Sequence, residues 1–195
     1  VGLYLGWRGA SIEWDWLQNV TFWDRKSVAE QVGKGGITRL MLDMDRVTRA
    51  PAKNGNDNAM VLIGHSFGGA IVVSALSEVL TERSLNGARQ TIGDGVIVLN
   101  PAIEATHALH LVESALDGEY ADSQGPLFIS LSSDADSATH YAFPAGQTVG
   151  LLATWRQTDL KRERYRDRRS PDKEKILREE HLDATTVGNF APYLT

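Results

Sequence analysis

Cysteine is absent from the 195-residue chain, so it can form no disulfide, thiolate nucleophile or thiolate metal site. That absence leaves the compartment open, with a cytoplasmic setting slightly favoured. No apolar run reaches the roughly 18 residues a membrane helix needs. Among motifs, His-Glu-x-x-His, a Walker loop ending in Lys-Ser/Thr and a dinucleotide fingerprint are all missing, so no metal or cofactor is expected. Gly33-Lys34-Gly35-Gly36 carries glycines but follows a helical segment, the wrong context for phosphate binding. The N-terminus has neither an initiator Met nor a basic n-region, and reads like a strand entered in mid-fold. Positive charge is also in deficit: 20 Lys+Arg stand against 25 Asp+Glu, a net charge of −5 that argues against nucleic-acid binding. What remains is 42% hydrophobic and 23% charged residues, the composition of one globular domain over 1–195. Disorder and collagen-like classes are excluded on the same grounds.

Apolar runs alternate with helical patterns, the signature of a parallel α/β sheet. Strands are expected at 1–5, 20–23, 59–63, 95–99 and 126–131, with a weak one at 182–187. The wholly apolar run at 59–63 reads as a central strand covered on both faces. Ile37, Leu40, Met41, Met44 and Val47 give one apolar helical face. Residues 68–80 are apolar nearly all round, as in a buried helix. Further helices are expected over 103–116 and from 147 to 165, and loops over 51–58 and 132–146.

The informative stretch is Gly64-His65-Ser66-Phe67-Gly68-Gly69, a Gly-x-Ser-x-Gly pattern set between an apolar strand and an apolar helix. A strand that turns at once into a helix brings the two backbones close and strains the turn residue. Side chains two before and two after Ser66 are expected to collide, which explains Gly64 and Gly68. Ser66 then points outward at a helix N-terminus, where negative charge is favoured, and His65 is expected to pack under the turn.

With these residues the chain resembles the α/β-hydrolase superfamily, lipase and esterase members in particular. The resemblance implies a three-layer α/β/α sandwich around a mostly parallel sheet, with a Ser–acid–His triad in that chain order. It also implies that the first strands of that fold are cut away here, because the oxyanion loop begins already at residue 6. The acid then lies after strand 126–131, where Asp134 and Asp136 both stand. Asp136 is preferred, since Ala138, Tyr141 and Phe143 after it could bury the loop.

Among five histidines, His107 and His110 precede the acid and read as helix-surface or pocket-lining residues, and His140 is too local to it. His181 has the right order. Family members place the base in a Gly-His-Phe-like turn, but here Gly188-Asn189-Phe190 holds an amide that takes up no proton at neutral pH. Either His181 is the base or the base follows Thr195 in a longer parent chain. The oxyanion donors implied are the N–H of Phe67 and that of Trp7 or Arg8 in Gly6-Trp7-Arg8-Gly9. Trp7, Trp14, Trp16 and Trp23 read as core packing or as an acyl pocket.

The expected activity is hydrolysis of carboxylic esters, small-molecule or lipid, without cofactor. The competing reading is a non-catalytic scaffold of the same fold that binds a ligand or partner. One further segment, 155–175, holds nine Lys/Arg against five acids. Its interleaved charges fit a solvated surface, with weak contact to an anionic membrane as the functional alternative.

Overall fold

The computed structural model describes residues 2–6, 29, 31–51, 58–85, 92–117, 125–133, 135, 162–167, 170–178 and 185–193. A kinked helical segment, Gly33–Ile37, broken by the non-helical backbone of Gly35, leads into α1 (Thr38–Arg49). Strand β1 (Val61–His65) runs directly into α2 (Phe67–Leu85), and β2 (Gly95–Leu99) follows. A 3-10 turn (Ala105–Ala108) opens α3 (Leu109–Asp117), and β3 (Ile129–Leu131) comes next. The hairpin β4 (Arg162–Asp167) and β5 (Ser170–Arg178) precedes a last 3-10 turn, Ala191–Tyr193.

The three strands β1, β2 and β3 form one sheet in that order, both pairs parallel. Val61 stands opposite Gly95 and His65 opposite Leu99, while Leu99 in turn stands opposite Leu131. The described chain is therefore α/β, built on βαβ crossovers. Crossovers of the usual right hand put both connecting helices on one face of such a sheet. Burial follows that geometry: Gly64, Val96 and Val98 are buried with Leu76, Leu80, Ile92 and Ile103. Apolar contacts of this density supply the main stabilisation.

The opposite face corrects one expectation. Val61 is 52% and Ile63 64% exposed, so β1 is not covered on both faces by the described residues. It is the edge of the described sheet, and its side chains alternate. His65 falls on the same open face by the period of two and is exposed, instead of packing under the turn.

Five further expectations change. Residues 2–5 form no strand, and Leu3, Tyr4 and Leu5 are exposed: an apolar run without a pairing neighbour makes no ladder. The helix expected to run to 165 is overturned at its end, because 162–167 pair antiparallel with 170–178. There the sequence alternates with period two, Arg162, Arg164 and Arg166 against Glu163, Tyr165 and Asp167, and the register sets Arg166 opposite Glu174. At 182–187 the described part is a single antiparallel bridge, Glu104 with Thr186. The strand expected at 126–131 shortens to 129–131, and the helix expected from 103 begins as a 3-10 turn. The expected strand 20–23, the start of the 147–165 helix and Trp14, Trp16 and Trp23 lie outside the described residues.

Candidate active site

Ser66 occupies the single residue between β1 and α2, with φ at +53°. A non-glycine residue in this left-handed region carries roughly 1–3 kcal/mol of strain and persists only where its surroundings enforce it. Here they do. The Ser66 amide donates to Leu99 O at 3.0 Å, continuing the β1–β2 ladder by one residue. Its carbonyl accepts from Ala70 N, within α2, and from Ala102 N beyond β2, both at 3.1 Å. The turn is thus gripped by its own helix and by the segment 99–102.

Close approach explains the glycines, with one change from expectation. A Cβ on Gly64 would stand 2.6 Å from Gly68 O and 2.9 Å from Gly69 Cα. A Cβ on Gly68, in contrast, would meet nothing within 4 Å among the described residues beyond the helix's own backbone. The second sterically required glycine is Gly69, whose Cβ would meet Pro101 Cβ at 2.9 Å.

Ser66 lies at the carboxyl end of the parallel strands, the edge where α/β sheets hold their ligands. Beside it stands Asn100, also left-handed at φ +42°. Its N–H donates to Leu131 O at 2.8 Å, and its Oδ1 accepts from Ser133 N at 2.9 Å. The Ser133 hydroxyl in turn accepts from Ala135 N at 3.2 Å. Asp134 and Asp136, the two acid candidates, flank Ala135 in sequence and lie outside the described residues, as do Trp7, Arg8, His140 and His181. Phe67 is the first residue of α2 and half-buried.

The C-terminal segment reaches the same edge. Val187 N donates to Ile103 O at 3.1 Å, and Ala105 N to Thr185 O at 2.8 Å. Gly188 presses on β3 so closely that a Cβ there would overlap Ser132 Oγ. Asn189 closes the turn through Nδ2, which donates to Thr186 Oγ1 at 2.9 Å. Phe190 and Tyr193 pack edge to face behind it, centroids 4.7 Å apart.

Reading the sequence missed three residues of this neighbourhood: Gly69, Asn100 and Glu104. Glu104 is buried, with Oε2 3.7 Å from His107 Nε2. Only Asn100 carried a usable signal, an Asn before Pro101 at a strand end, where left-handed Asn is common. His107 and His110 instead line a groove of about 460 Å³ between α2 and the start of α3, with Glu78 and Glu82. That agrees with a pocket-lining role. No group of three potential metal ligands occurs among the described residues, and no described helix is long and apolar enough to cross a membrane.

Comparison with family models, curated proteins and solved structures finds no match for the chain.

Proposed function

We propose that the chain is a serine hydrolase that cleaves carboxylic esters, built as a three-layer α/β-hydrolase domain. The observation that carries this reading is Ser66: a strained, left-handed serine between a parallel strand and a buried helix, at the carboxyl edge of the sheet. Strain of this kind is maintained where a side chain must be held out of its element's ordinary path.

The chemistry follows from the residue types. Ser66 Oγ bonds to the ester carbonyl carbon while an imidazole takes its proton. The same imidazolium returns that proton to the departing alcohol as the acyl C–O bond breaks. Water, deprotonated by the imidazole, then releases the acid and restores the hydroxyl. Asp136, preferred over Asp134, orients the imidazole and stabilises its charge. His181 is the imidazole whose chain order fits. The N–H groups of Phe67 and of Trp7 or Arg8 hold the oxyanion, each contributing about 3 kcal/mol to the transition state.

Gly188-Asn189-Phe190 favours the second reading, a ligand-binding scaffold of the same fold without turnover, because an amide stands where an imidazole would serve. Fluorophosphonate labelling separates the two. Labelling that disappears in Ser66→Ala supports the hydrolase, whereas an intact chain that never labels supports the scaffold. Full esterase activity in His181→Ala would remove that histidine from the triad.

A further inference from the structure

Hydrogen bonds around Asn100 tie the carboxyl ends of the three strands: a backbone bond joins β1 to β2, and one backbone and one side-chain bond lead onward from Asn100. Ser66 and Asn100 are neighbours one step past the last registered pair of β1 and β2, His65 with Leu99. Asn100 then reaches the third strand through its N–H to Leu131 O, and the chain just beyond it through its Oδ1 to Ser133 N. Ser133 passes the constraint on through its hydroxyl to Ala135 N. The flanking contacts leave Asn100 little freedom: Leu99 O accepts from Ser66 N, Pro101 abuts Gly69, and Ala102 N donates to Ser66 O. A left-handed residue just before a proline is doubly disfavoured, so this conformation is imposed by its neighbours on both sides.

We infer that Asn100 is a positioning residue, which fixes the start of the loop carrying Asp134 and Asp136 relative to the Ser66 turn. The inference rests on the hydrolase reading. Its chemical content is specific. A hydrogen bond to the Ser133 amide satisfies one donor at the mouth of β3 and sets the direction in which the chain leaves the strand. On the hydrolase reading the acid, Asp134 or Asp136, follows Ser133 by one or three residues, so kcat is the quantity this bond would govern. Asparagine suits the post because its short amide both tolerates positive φ and supplies an acceptor. Glycine would keep the backbone conformation and lose the acceptor; aspartate would keep both.

Hydrolysis of p-nitrophenyl butyrate by the full chain, with thermal melting alongside, tests this in Ser66→Ala, Asn100→Gly and Asn100→Asp. In Asn100→Gly, kcat is expected to fall by about 10²-fold with KM changed less than about threefold, the pattern of a misplaced catalytic group. Asn100→Asp should recover most of that loss. Wild-type kcat in Asn100→Gly would overturn the inference. So would a loss of kcat that follows the melting temperature and is not recovered by Asn100→Asp, since that describes a scaffold residue only. Should the unmodified chain show no Ser66-dependent turnover or fluorophosphonate labelling, the hydrolase reading itself falls and takes this one with it. The two failures are therefore told apart by the wild-type control.

Discussion

Gly69 and Pro101 stand so close that a methyl group on the glycine would lie 2.9 Å from the proline Cβ. This contact, rather than one at Gly68, sets how near α2 comes to the segment that follows β2. The separation decides whether Ala102 N can reach Ser66 O.

Gly69→Ala should therefore destabilise by about 1–3 kcal/mol through overpacking. Gly68→Ala meets no neighbour among the described residues and gains helix propensity, so a change of about 0–1 kcal/mol toward greater stability is expected. Urea midpoints at constant m-value measure both. Equal losses at the two positions would contradict the geometry of the turn.

Ser66 links stability and chemistry in opposite senses. Ser66→Ala removes the hydroxyl and keeps the strain of φ +53°. Ser66→Gly removes both, so it should be more stable than Ser66→Ala by about 1 kcal/mol, the relief of a left-handed non-glycine residue partly offset by unfolded-state entropy. Both variants should lose fluorophosphonate labelling. Calorimetry of the pair reads the difference directly.

The core βαβ pattern was legible because its elements are long, apolar and locally consistent. Residues 95–99 coincide with β2, and the expected helix 68–80 lies within α2. Errors arose where local pattern and tertiary pairing compete. An apolar run such as Leu3-Tyr4-Leu5 has strand propensity, yet a strand exists only with a partner. The segment 162–167 has charges compatible with a helix, and antiparallel pairing with 170–178 decides otherwise. The nucleophile candidate Ser66 was legible from its glycine spacing and context. Asn100 was legible only as a left-handed candidate before Pro101 at a strand end, because its hydrogen bond across 33 residues of sequence is encoded by no local pattern.

Asp45 organises the end of the fold away from Ser66. Its buried carboxylate accepts from Arg49 Nε and Gly93 N, both at 2.8 Å, and from Arg83 Nη2 at 3.4 Å. These partners tie α1 and α2 to the turn before β2, where Asp94 and Met60 also exchange hydrogen bonds at 2.7 Å. Asp45→Asn should cost about 2 kcal/mol, the loss of charge-assisted bonds to partly exposed arginines. Turnover per folded molecule is expected to be unchanged, as read by urea unfolding and active-site titration.

Asp43 offers a pH marker on the exposed face of α1. The hydrogen bond from Arg39 Nε, at 2.8 Å, holds its carboxyl below the ordinary aspartate value. A depressed carboxylate favours the fold above the unfolded-state value, and that contribution disappears as pH falls through the folded one. NMR titration of the Asp43 carboxyl should thus give a midpoint below that of the unfolded chain, and Arg39→Ala should move it up. Salt should shrink the difference, since the pair is exposed.

The C-terminal segment belongs to the carboxyl edge of the sheet only if Gly188 sits against β3, and this contact can be tested by coupling. A Cβ on Gly188 would overlap Ser132 Oγ and stand 2.9 Å from Ser132 Cβ. Ser132 Oγ is itself buried with no hydrogen-bond partner among the described residues, so its removal should be nearly neutral or slightly stabilising. Gly188→Ala alone should lose about 1–3 kcal/mol by overpacking. In the double variant with Ser132→Ala, part of that loss should return, giving a coupling of about 1 kcal/mol where distant sites would simply add. Additivity would mean that 185–193 does not pack on β3. A measured coupling would bring Asn189 to the edge that carries Ser66 and Asn100, and Asn189→Ala would then be expected to cost about 1 kcal/mol through its bond to Thr186 while leaving kcat intact.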